Sequence, residues 1–383
     1  MNFDRLKDFL DYYLPMLGVP GSDTVIYKDH QQIFRHQSGY DNLKYRTPMR
    51  PDAIHHIYSC SKIATCVAAL QLMERGEILI NDPIHVYFPE FKKLQVARRG
   101  ADGKIRVEKA KNPILIRHLF TMTSGLDYNI RRSGIERVKK QTEGRCPTLE
   151  LIRALPEDPL VCEPGERYCY GLSHDVLGGV VELISGMKLG DYMKKNIFAP
   201  LGMKDTGFDI GNHNFERIAC QYDYDSVGRC AIEVPKDSNI MRFGSEYQSG
   251  GAGILSTVED YVLLADALAN EGVGAGGNRI LSGAAVELLR SPSLTPDQHE
   301  YFEYGAQNMG YDYGLGVRVM RDPAFGGSLA PKGAFGWDGK KMCLSLSDPK
   351  NRVAIFHAEE IDGMNAIVIP RLLNVIYSCF DEK

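Results

Sequence analysis

The sequence predicts an α/β (α+β) protein in which an antiparallel sheet, flanked by helices, is built from both ends of the chain. Strand-like runs lie near the N-terminus, at 23–27 and 32–36, and return between 313 and 358. Between about 77 and 230 the sequence has few strand signals and repeated helical patterns. Strands separated by a long helical block can still pair antiparallel, so we expect a mostly helical insertion in a sheet domain.

This pattern predicts two domains with an active site between them. Residues 1–58 and 245–383 would form the sheet domain, and residues 59–244 the mostly helical domain. A chain of 383 residues is long enough to bury the cores of one large domain or two.

The N-terminal elements follow from local patterns. Residues 2–14 carry apolar side chains at helical spacing, and Pro15 ends that helix. The runs 23–27 and 32–36 flank a short polar turn, which is typical of a β-hairpin. The basic and polar segment 98–112 predicts an exposed loop whose charges face solvent.

The rest of the chain is assigned from its hydrophobic periodicity. Apolar residues at helical spacing predict helices at 113–121, 147–155, 173–185, 188–198, 256–270 and 282–290. Apolar runs then predict strands at 313–319, 334–337, 341–347 and 352–358, followed by a closing helix at 363–379.

Composition and charge are those of an ordinary soluble globular protein, with 44% apolar residues, 25% charged residues and a net charge of −4. No basic block is interleaved with aromatic residues, so we do not expect nucleic acid as a partner. No apolar run is long enough to span a bilayer and the N-terminus lacks a signal-peptide pattern, so no membrane association is expected. The nine cysteines are odd in number and form no Cys-x-x-Cys, which predicts reduced thiols and a cytoplasmic location.

The segment 53–76 is the strongest candidate for a catalytic centre. It begins as a short extended run, turns at Ser59 and continues from Ser61 as a helix that is apolar nearly all round. A helix without a polar face belongs in an interior, so Ser59 would lie where unpaired N–H groups and the positive dipole end favour an oxyanion. Lys62 lies one turn further on the same face, and its amine could take a proton from the Ser59 hydroxyl.

The same motif has plainer explanations. Ser-x-x-Lys also occurs at Ser185–Lys188 and Ser347–Lys350, but only Ser59–Lys62 joins a strand-like approach to a buried helix. The serine could simply cap that helix, and the lysine could carry its amine to solvent. Cys60 could be proposed as a thiol nucleophile, although a first-turn residue of a buried helix is more often a packing residue.

Three other motifs have weaker support. The run from Gly272 to Gly277 satisfies G-x-G-x-x-G, but it follows a helix instead of a strand, so a loop is favoured over dinucleotide binding. The pair His55–His56 has no matching acid cluster and His-Glu-x-x-His is absent, so no metal site and no cofactor are expected. Gly-x-Ser-x-Gly is absent as well, which argues against the nucleophile elbow of α/β-hydrolases.

Two further segments could complete a site around Ser59. Residues 163–186 contain a Pro-Gly turn, then Tyr170 and an apolar helix, and a phenol near a lysine amine can exchange protons with a serine. Residues 333–341 hold the only tryptophan, Trp337, and glycines that allow a close approach of the backbone, so an N–H there could complete an oxyanion hole. A packed loop aromatic and a glycine-bent core strand are the alternatives.

Taken in this order, the segments resemble the serine β-lactamase and penicillin-binding-protein superfamily. They are most similar to class C β-lactamases and the related family VIII carboxylesterases. The resemblance extends over roughly residues 20 to 360, and several ordered matches make it more specific than Ser-x-x-Lys alone. Its further segments are ILIRHLFTMTSGL (114–126), EPGERY (163–168), APLGMKDTGF (199–208), SGGAGILSTVEDY (249–261) and LSDPKNRVAIF (346–356).

The resemblance implies a catalytic role for three side chains. Ser59 would be the acylated nucleophile, Lys62 its activating partner and Tyr170 the general base. The backbone N–H groups of Ser59 and Lys340 would form the oxyanion hole.

Two motifs that would contact the substrate depart from the β-lactamase pattern. Trp337, Asp338 and Gly339 stand in place of Lys-Thr-Gly and resemble the Trp-x-Gly of the esterase branch. Leu172 stands in place of the asparagine of Tyr-x-Asn. Losing the lysine and the amide weakens the expectation of a β-lactam or peptide substrate.

The resemblance therefore implies a serine hydrolase that works through a covalent acyl-enzyme, with esters of small or medium carboxylic acids as the expected substrates. An acyltransferase, a β-lactamase or a D-amino-acid peptidase could use the same Ser/Lys/Tyr chemistry. A non-catalytic scaffold of this fold is a further alternative, although the nucleophile, the lysine and the tyrosine are all present. We expect a small-molecule ester or amide as the partner, and the sequence leaves the oligomeric state open.

Overall fold

The strands of the protein lie mainly at the two ends of the chain. The structure is a computed structural model and describes residues 1–100, 102–209, 211–303 and 308–380. The strands are β1 (Gly21–Lys28), β2 (Gln31–Asn42), β3 (Thr47–Pro48), β4 (Ile54–His56), β5 (Gln95–Arg99), β6 (Ile105–Lys109), β7 (Gln221–Asp225), β8 (Cys230–Val234), β9 (Leu255–Thr257), β10 (Tyr311–Tyr313), β11 (Arg318–Met320), β12 (Phe335–Gly339), β13 (Cys343–Asp348) and β14 (Val353–Ala358).

The main sheet has eight strands in the order β10-β11-β12-β13-β14-β1-β2-β3. Every neighbouring pair is antiparallel, and β1 from the N-terminal part lies between β14 and β2, with Val25 opposite Phe356. The predicted fold class, an antiparallel sheet made from both chain ends and flanked by helices, is confirmed. The proposed division into two domains stays a prediction.

Helices cover the sheet and fill the middle of the chain. Helix α10 packs on β1, β13 and β14, and the first helix contacts the last. The helices are α1 (Asp4–Asp8), α2 (Leu14–Met16), α3 (Ser61–Glu74), α4 (Ile116–Phe120), α5 (Ser133–Gln141), α6 (Thr148–Ala154), α7 (Ser173–Ser185), α8 (Leu189–Met193), α9 (Ala199–Leu201), α10 (Val258–Ala269), α11 (Gly283–Leu289), α12 (Pro296–Glu303), α13 (Pro323–Gly326) and α14 (Asn365–Ser378). In the described part of the chain, none of the helices is long and apolar enough to cross a bilayer.

Helix α3 lies in the middle of the core, as its sequence predicts. Residues 61–72 are all buried, and the helix packs against α7 and α8. The chain reverses at Gly76, whose φ of +74° favours glycine and whose N–H bonds the carbonyl of Met73 at 2.9 Å. Strand β4, which precedes α3 by a short turn, pairs with β9, so the start of this helix is joined to the segment at 255–257.

The prediction of a single strand at 313–319 is wrong. Residue 313 ends β10 and residue 318 begins β11, and the N–H of Gly314 closes the turn between them onto the carbonyl of Val317 at 2.8 Å. Gly316 has a φ of +88°, and a Cβ there would lie 2.3 Å from the sulfur of Cys66. Close packing on α3 therefore requires a glycine turn inside an otherwise apolar run.

The prediction of an exposed loop at 98–112 is wrong as well, because this segment contains part of a β-hairpin. Strands β5 and β6 pair with Arg98 opposite Arg106, and β5 is also bonded to Leu160 through the N–H of Ala97 at 2.8 Å. All residues of β6 are exposed. The side chains of β6 stay in solvent and its two apolar residues lie among charged ones, so its pattern is typical of a solvated loop.

Candidate active site

Ser59 lies in a short 3₁₀ turn that immediately precedes helix α3. Tyr58 has a φ of +41°, a left-handed conformation that is uncommon outside glycine and is often found at functional sites. The Tyr58 hydroxyl donates to the side chain of Gln221 and the carbonyl of Ser238, which holds this conformation in place. The N-cap position of α3 is Cys60, without a side-chain cap bond, so Ser59 is not the helix cap.

Lys62 is completely buried, with 0% of its surface exposed. Its Nζ donates to Ser59 Oγ at 3.0 Å, to the Tyr128 hydroxyl at 2.9 Å and to the carbonyl of Gly251 at 2.7 Å. An ammonium has three protons to donate, and these contacts use all of them. The alternative in which Lys62 carries its amine to solvent is therefore wrong.

Tyr170 lies beside the same lysine. The centre of its ring is 4.7 Å from Lys62 Nζ, and its hydroxyl oxygen accepts a hydrogen bond from Trp337 Nε1 at 3.0 Å. The ring of Tyr128 meets the Tyr170 ring edge-on at 5.4 Å. The structure thus brings Ser59, Lys62, Tyr170 and Trp337 together around one site.

Tyr128 is a candidate that no sequence pattern singled out. Its hydroxyl accepts a hydrogen bond from the same Lys62 amine that bonds Ser59. Burial raises the pKa of Tyr128 well above the usual value, and the neighbouring Tyr170 adds to the shift. The phenol is therefore protonated. It follows the segment 123–126 by two residues, but in a chain with 20 tyrosines nothing local distinguishes it.

A cluster of aromatic rings holds the tyrosine and the tryptophan in position. The Tyr168 ring stacks on Tyr170 at 6.4 Å and meets Tyr313 edge-on at 5.2 Å. Tyr313 in turn meets Trp337 edge-on at 5.3 Å. Since edge-to-face and offset contacts each favour one geometry, the shared neighbours restrict how far Tyr170 and Trp337 can move apart.

The end of strand β12 lies against the turn that holds Ser59. A Cβ on Gly339 would lie 2.4 Å from the carbonyl oxygen of Ile57, so this approach requires glycine. Lys340 follows directly, and both Lys340 and Ser59 line the same cavity. The two residues whose N–H groups are implied for an oxyanion hole therefore line one cavity, and their role stays a prediction.

The Asp338 carboxylate forms an ion pair with Arg318 and a hydrogen bond with Asn365. One oxygen lies 2.7 Å from Arg318 and the other accepts a hydrogen bond from Asn365 at 2.7 Å. Arg318 is 5% exposed, and its guanidinium lies 5.4 Å from the centre of the Trp337 ring. Asp338 therefore lines the cavity as a paired charge.

The cavity around these residues has a volume of about 630 Å³. Aromatic and aliphatic side chains form most of its wall. Lys340 and Asp362 also line it, and Lys340 Nζ lies 3.0 Å from the Asp362 carboxylate. The lining residues are Tyr58, Ser59, Tyr128, Ile130, Tyr168, Tyr170, Ile240, Met241, Ala252, Asn308, Trp337, Asp338, Gly339, Lys340, Asp362, Gly363, Asn365 and Ala366.

The expectation that Leu172 contacts the substrate is wrong, because its side chain lies in the core. It is 0% exposed and is not among the described residues that line the cavity. The preceding Gly171 lies so close to the chain at Leu126 that a Cβ would be 2.1 Å from that carbonyl oxygen. This close approach leads the chain inward at the start of α7, so Leu172 packs in the interior.

Cys60 is not placed to act as a nucleophile. It is fully buried, and its sulfur donates to the carbonyls of Trp337 at 3.5 Å and Cys343 at 3.8 Å. Burial raises the pKa of this thiol above its usual value. It is a protonated packing residue between α3 and the sheet.

Other candidate chemistry is not assembled in the described part of the chain. There, no group of three or more His, Cys, Asp and Glu side chains could hold a metal ion. The run from Gly272 to Gly277 is a loop between α10 and α11, as predicted, closed by the bond from the Gly274 N–H to the carbonyl of Asn278 at 2.9 Å.

Comparison with known families and proteins gives consistent matches. Residues 6–358 match the family described as Beta-lactamase. Protein Rv1367c of Mycobacterium tuberculosis is 32% identical over 338 residues, covering 86% of this chain and 82% of that protein. Acyltransferase calJ of Penicillium decumbens is 28% identical, covering 90% and 84%, and esterase EstB of Burkholderia gladioli is 28% identical, covering 88% and 84%.

Solved structures share the fold. EstCE1, described as a hydrolase with promiscuous acyltransferase activity, superimposes with a TM-score of 0.79, covers 97% of both chains and is 22% identical. Simvastatin synthase (LovD) of Aspergillus terreus superimposes with a TM-score of 0.81, covers 99% of this chain and 100% of its own, and is also 22% identical.

Proposed function

Because the chain belongs to the beta-lactamase family, and is thus an enzyme related to serine hydrolases and acyltransferases, we propose that it is a carboxylesterase that forms an acyl-enzyme on Ser59. The observation that carries this proposal is the buried Lys62 amine, which lies 3.0 Å from the Ser59 hydroxyl. Ser59 itself lines a cavity of about 630 Å³. The proposed substrates are esters of small or medium carboxylic acids.

In the proposed reaction, Ser59 Oγ attacks the ester carbonyl while Tyr170, assisted by Lys62, accepts the hydroxyl proton. The bond to the alcohol oxygen then breaks, the alcohol leaves with that proton, and the acyl group stays on Ser59. A water molecule repeats the sequence and releases the acid. The N–H groups of Ser59 and Lys340 would hold the negative oxygen in both steps.

The surroundings of Tyr170 support its role as the base. A hydrogen bond from an N–H donor fixes the direction in which a phenol oxygen points. The Trp337 N–H bonds that oxygen directly, and Lys62 Nζ lies 4.7 Å from the ring centre. Tyr128 accepts a hydrogen bond from the same lysine at 2.9 Å, so both tyrosines contact the amine that bonds Ser59.

The charges of the cavity favour uncharged substrates. Asp338 is paired with Arg318 at 2.7 Å and Lys340 with Asp362 at 3.0 Å, so neither cation is unpaired for a substrate carboxylate. The wall is otherwise mostly aromatic and aliphatic, which suits an apolar acyl or alcohol group. Trp337 in place of lysine agrees with this, and it disfavours the β-lactamase and D-amino-acid peptidase alternatives.

Acyl transfer to an alcohol is the second candidate function. Its chemistry differs only in the acceptor of the acyl group, and the relative calJ is named as an acyltransferase. Turnover of an ester with and without an added alcohol separates the two: formation of a new ester in preference to the free acid would favour the transferase. A non-catalytic scaffold would show no turnover and no acyl-enzyme.

The test is labelling with a fluorophosphonate, followed by turnover of a p-nitrophenyl ester. One label should appear, on the peptide that contains Ser59, and Ser59→Ala should lose both the label and the turnover. Ser185→Ala, in the other Ser-x-x-Lys sequence on a helix, is the matched control and should keep both. Turnover retained by Ser59→Ala in a folded protein would refute the proposal.

A further inference from the structure

Gln221 is a buried glutamine whose amide has a partner for both of its polar atoms. It is 0% exposed and is the first residue of strand β7, where it lies opposite Val234 of β8. Its Nε2 donates to the carbonyl oxygens of Lys236 at 2.9 Å and Ser238 at 3.0 Å. Its Oε1 accepts a hydrogen bond from the Tyr58 hydroxyl at 2.5 Å. Since carbonyl oxygens only accept hydrogen bonds, the amide nitrogen must face them and the amide oxygen must face Tyr58.

The tyrosine that this amide holds is the residue immediately before Ser59. The φ of +41° at Tyr58 is uncommon for a residue with a side chain, and such a conformation persists only where surrounding contacts maintain it. The hydroxyl of the buried Tyr58 has two acceptors, Gln221 Oε1 and, at 3.0 Å, the carbonyl of Ser238. Because Gln221 also bonds that carbonyl, one side chain holds both acceptors in place.

The strand that carries Gln221 is fixed independently of Tyr58. The N–H of Tyr222 bonds the carbonyl of Glu360 at 2.8 Å, and the N–H of Asp362 bonds the carbonyl of Tyr222 at 3.0 Å. Strand β7 is therefore joined by its backbone to the segment that follows β14. The bond between Gln221 and Tyr58 spans 163 residues of sequence and ends on a backbone that is already anchored.

The elements on either side of Ser59 restrict where a change at Tyr58 can be absorbed. Before the turn, strand β4 is paired with β9, and after it helix α3 is buried in the core. A change in the φ of Tyr58 would therefore be taken up within residues 57–60. Ser59 lies in the middle of this range, so its Oγ would move relative to Lys62 Nζ, which is now 3.0 Å away.

We propose that Gln221 is a positioning residue for Ser59. By holding the Tyr58 hydroxyl it keeps Tyr58 in the left-handed conformation, and this conformation keeps Ser59 Oγ beside the Lys62 amine. Gln221 is not among the described residues that line the cavity of about 630 Å³, so it acts through Tyr58 and not on the substrate. The inference rests on the proposed function, in which Ser59 is the nucleophile.

Gln221→Met tests the proposal, because it removes the acceptor and both donors and keeps an unbranched side chain of similar length. Displacement of a catalytic group by about 1 Å can lower the rate by about 10²-fold, so kcat for a p-nitrophenyl ester should fall by that order. KM should stay at the wild-type value, since the substituted side chain lies outside the cavity wall. The rate at which a fluorophosphonate labels Ser59 should fall together with kcat.

A double-mutant cycle separates positioning through Tyr58 from a general structural effect. Tyr58→Phe removes the hydroxyl that Gln221 holds, so it should lower kcat by itself. Gln221→Met added to Tyr58→Phe should then lower kcat little further. Fully additive losses would show that Gln221 does not act through Tyr58 and would overturn the proposal.

Tyr222→Phe is the matched control, in the same strand. Tyr222 is 2% exposed, and its hydroxyl donates to the carbonyl of Asp41 at 2.9 Å and accepts the N–H of Leu43 at 3.0 Å. The variant also loses buried hydrogen bonds, so it should unfold at a lower urea concentration, but it should keep the wild-type kcat. An equal fall of kcat in Tyr222→Phe and Gln221→Met would show that kcat follows stability alone and would overturn the proposal.

A crystal structure of Gln221→Met tests the geometry without a substrate, with Gln221→Leu in its place if the methionine variant does not fold. Tyr58 should leave the left-handed region, and Ser59 Oγ should move out of hydrogen-bond distance of Lys62 Nζ. Unchanged positions of Tyr58 and Ser59 would overturn the proposal. A wild-type protein without ester turnover or label would refute the proposed function, while the crystal structure still decides whether Gln221 positions Ser59.

Discussion

The indole N–H of Trp337 donates a hydrogen bond to the hydroxyl oxygen of Tyr170, at 3.0 Å and across 167 residues of sequence. Trp337 lies in strand β12 and Tyr170 in the segment before helix α7, so the bond joins the sheet to the helical part of the site. In the position where β-lactamases have a lysine, this donor is neutral. It orients the phenol without adding a positive charge to the cavity.

Replacing Tyr170 with phenylalanine should slow the acylation of Ser59. Tyr170→Phe keeps the ring and its aromatic contacts but removes the oxygen that would accept the Ser59 proton, and general-base catalysis contributes about 10²–10⁴-fold. We expect a loss of kcat for a p-nitrophenyl ester within that range. Tyr12→Phe changes an exposed ring, 69% accessible, and should leave kcat unaltered. Wild-type kcat in folded Tyr170→Phe would exclude Tyr170 as the base.

Trp337→Phe should act through Tyr170. The variant removes the N–H donor from the partly buried Tyr170 oxygen. An unmet hydrogen bond costs about 1–3 kcal/mol, so kcat should fall roughly 10–100-fold. A double-mutant cycle is the decisive measurement. In a Tyr170→Phe background the tryptophan substitution should lower kcat little further, whereas fully additive losses would show that Trp337 acts independently of the tyrosine.

Gly339→Ala should destabilise the protein and damage the site together. The new Cβ would lie 2.4 Å from the carbonyl of Ile57, so strand β12 must move away from the turn that carries Ser59. We expect the free energy of unfolding to fall by about 1–3 kcal/mol, measured by urea denaturation. Gly283→Ala, at the first residue of helix α11, is the matched control. A Cβ there would lie 3.7 Å from its nearest neighbour, the Glu271 side chain, so the substitution should be neutral or slightly stabilising. Equal stability of the two variants would contradict this account.

Stability should decrease in mild acid because of His118. Burial, with the adjacent Arg117 charge, lowers the pKa of His118 to about 4, and its Nδ1 accepts the N–H of Leu115 at 3.2 Å. The unfolded chain binds the proton first, at its ordinary pKa of about 6.5, so stability is lost as pH falls from about 6.5 towards 4. Relative to pH 7, this one group should cost about 2 kcal/mol at pH 5.

The measurement is urea unfolding at pH 7 and pH 5 for the wild type and His118→Asn. The asparagine oxygen can still accept the Leu115 N–H but does not titrate, so the variant should lose less stability between the two pH values. Identical pH dependence in both proteins would show that His118 is not responsible.

Several elements of the fold could be predicted because their signals are local. The helix from Ser61 was expected from an apolar run that ends at glycine, and strands such as β13 and β14 from short apolar runs between turns. The hairpin of β5 and β6 could not be predicted, since its strands pair through the backbone while β6 stays exposed. The apolar run 313–319 was predicted as one strand, but a buried glycine turn divides it into two.

The contacts of the site also fall into two groups, those that local sequence predicts and those that depend on tertiary packing. A serine and a lysine three residues apart at the start of a helix are neighbours by helix geometry, so the sequence by itself determined the contact between Ser59 and Lys62. Only the tertiary structure decided that Tyr128 joins them, that Asp338 is neutralised by Arg318, and that Leu172 turns into the core. These relationships depend on how distant segments pack around α3, and no spacing along the chain specifies the distance between residues brought together by a shared core.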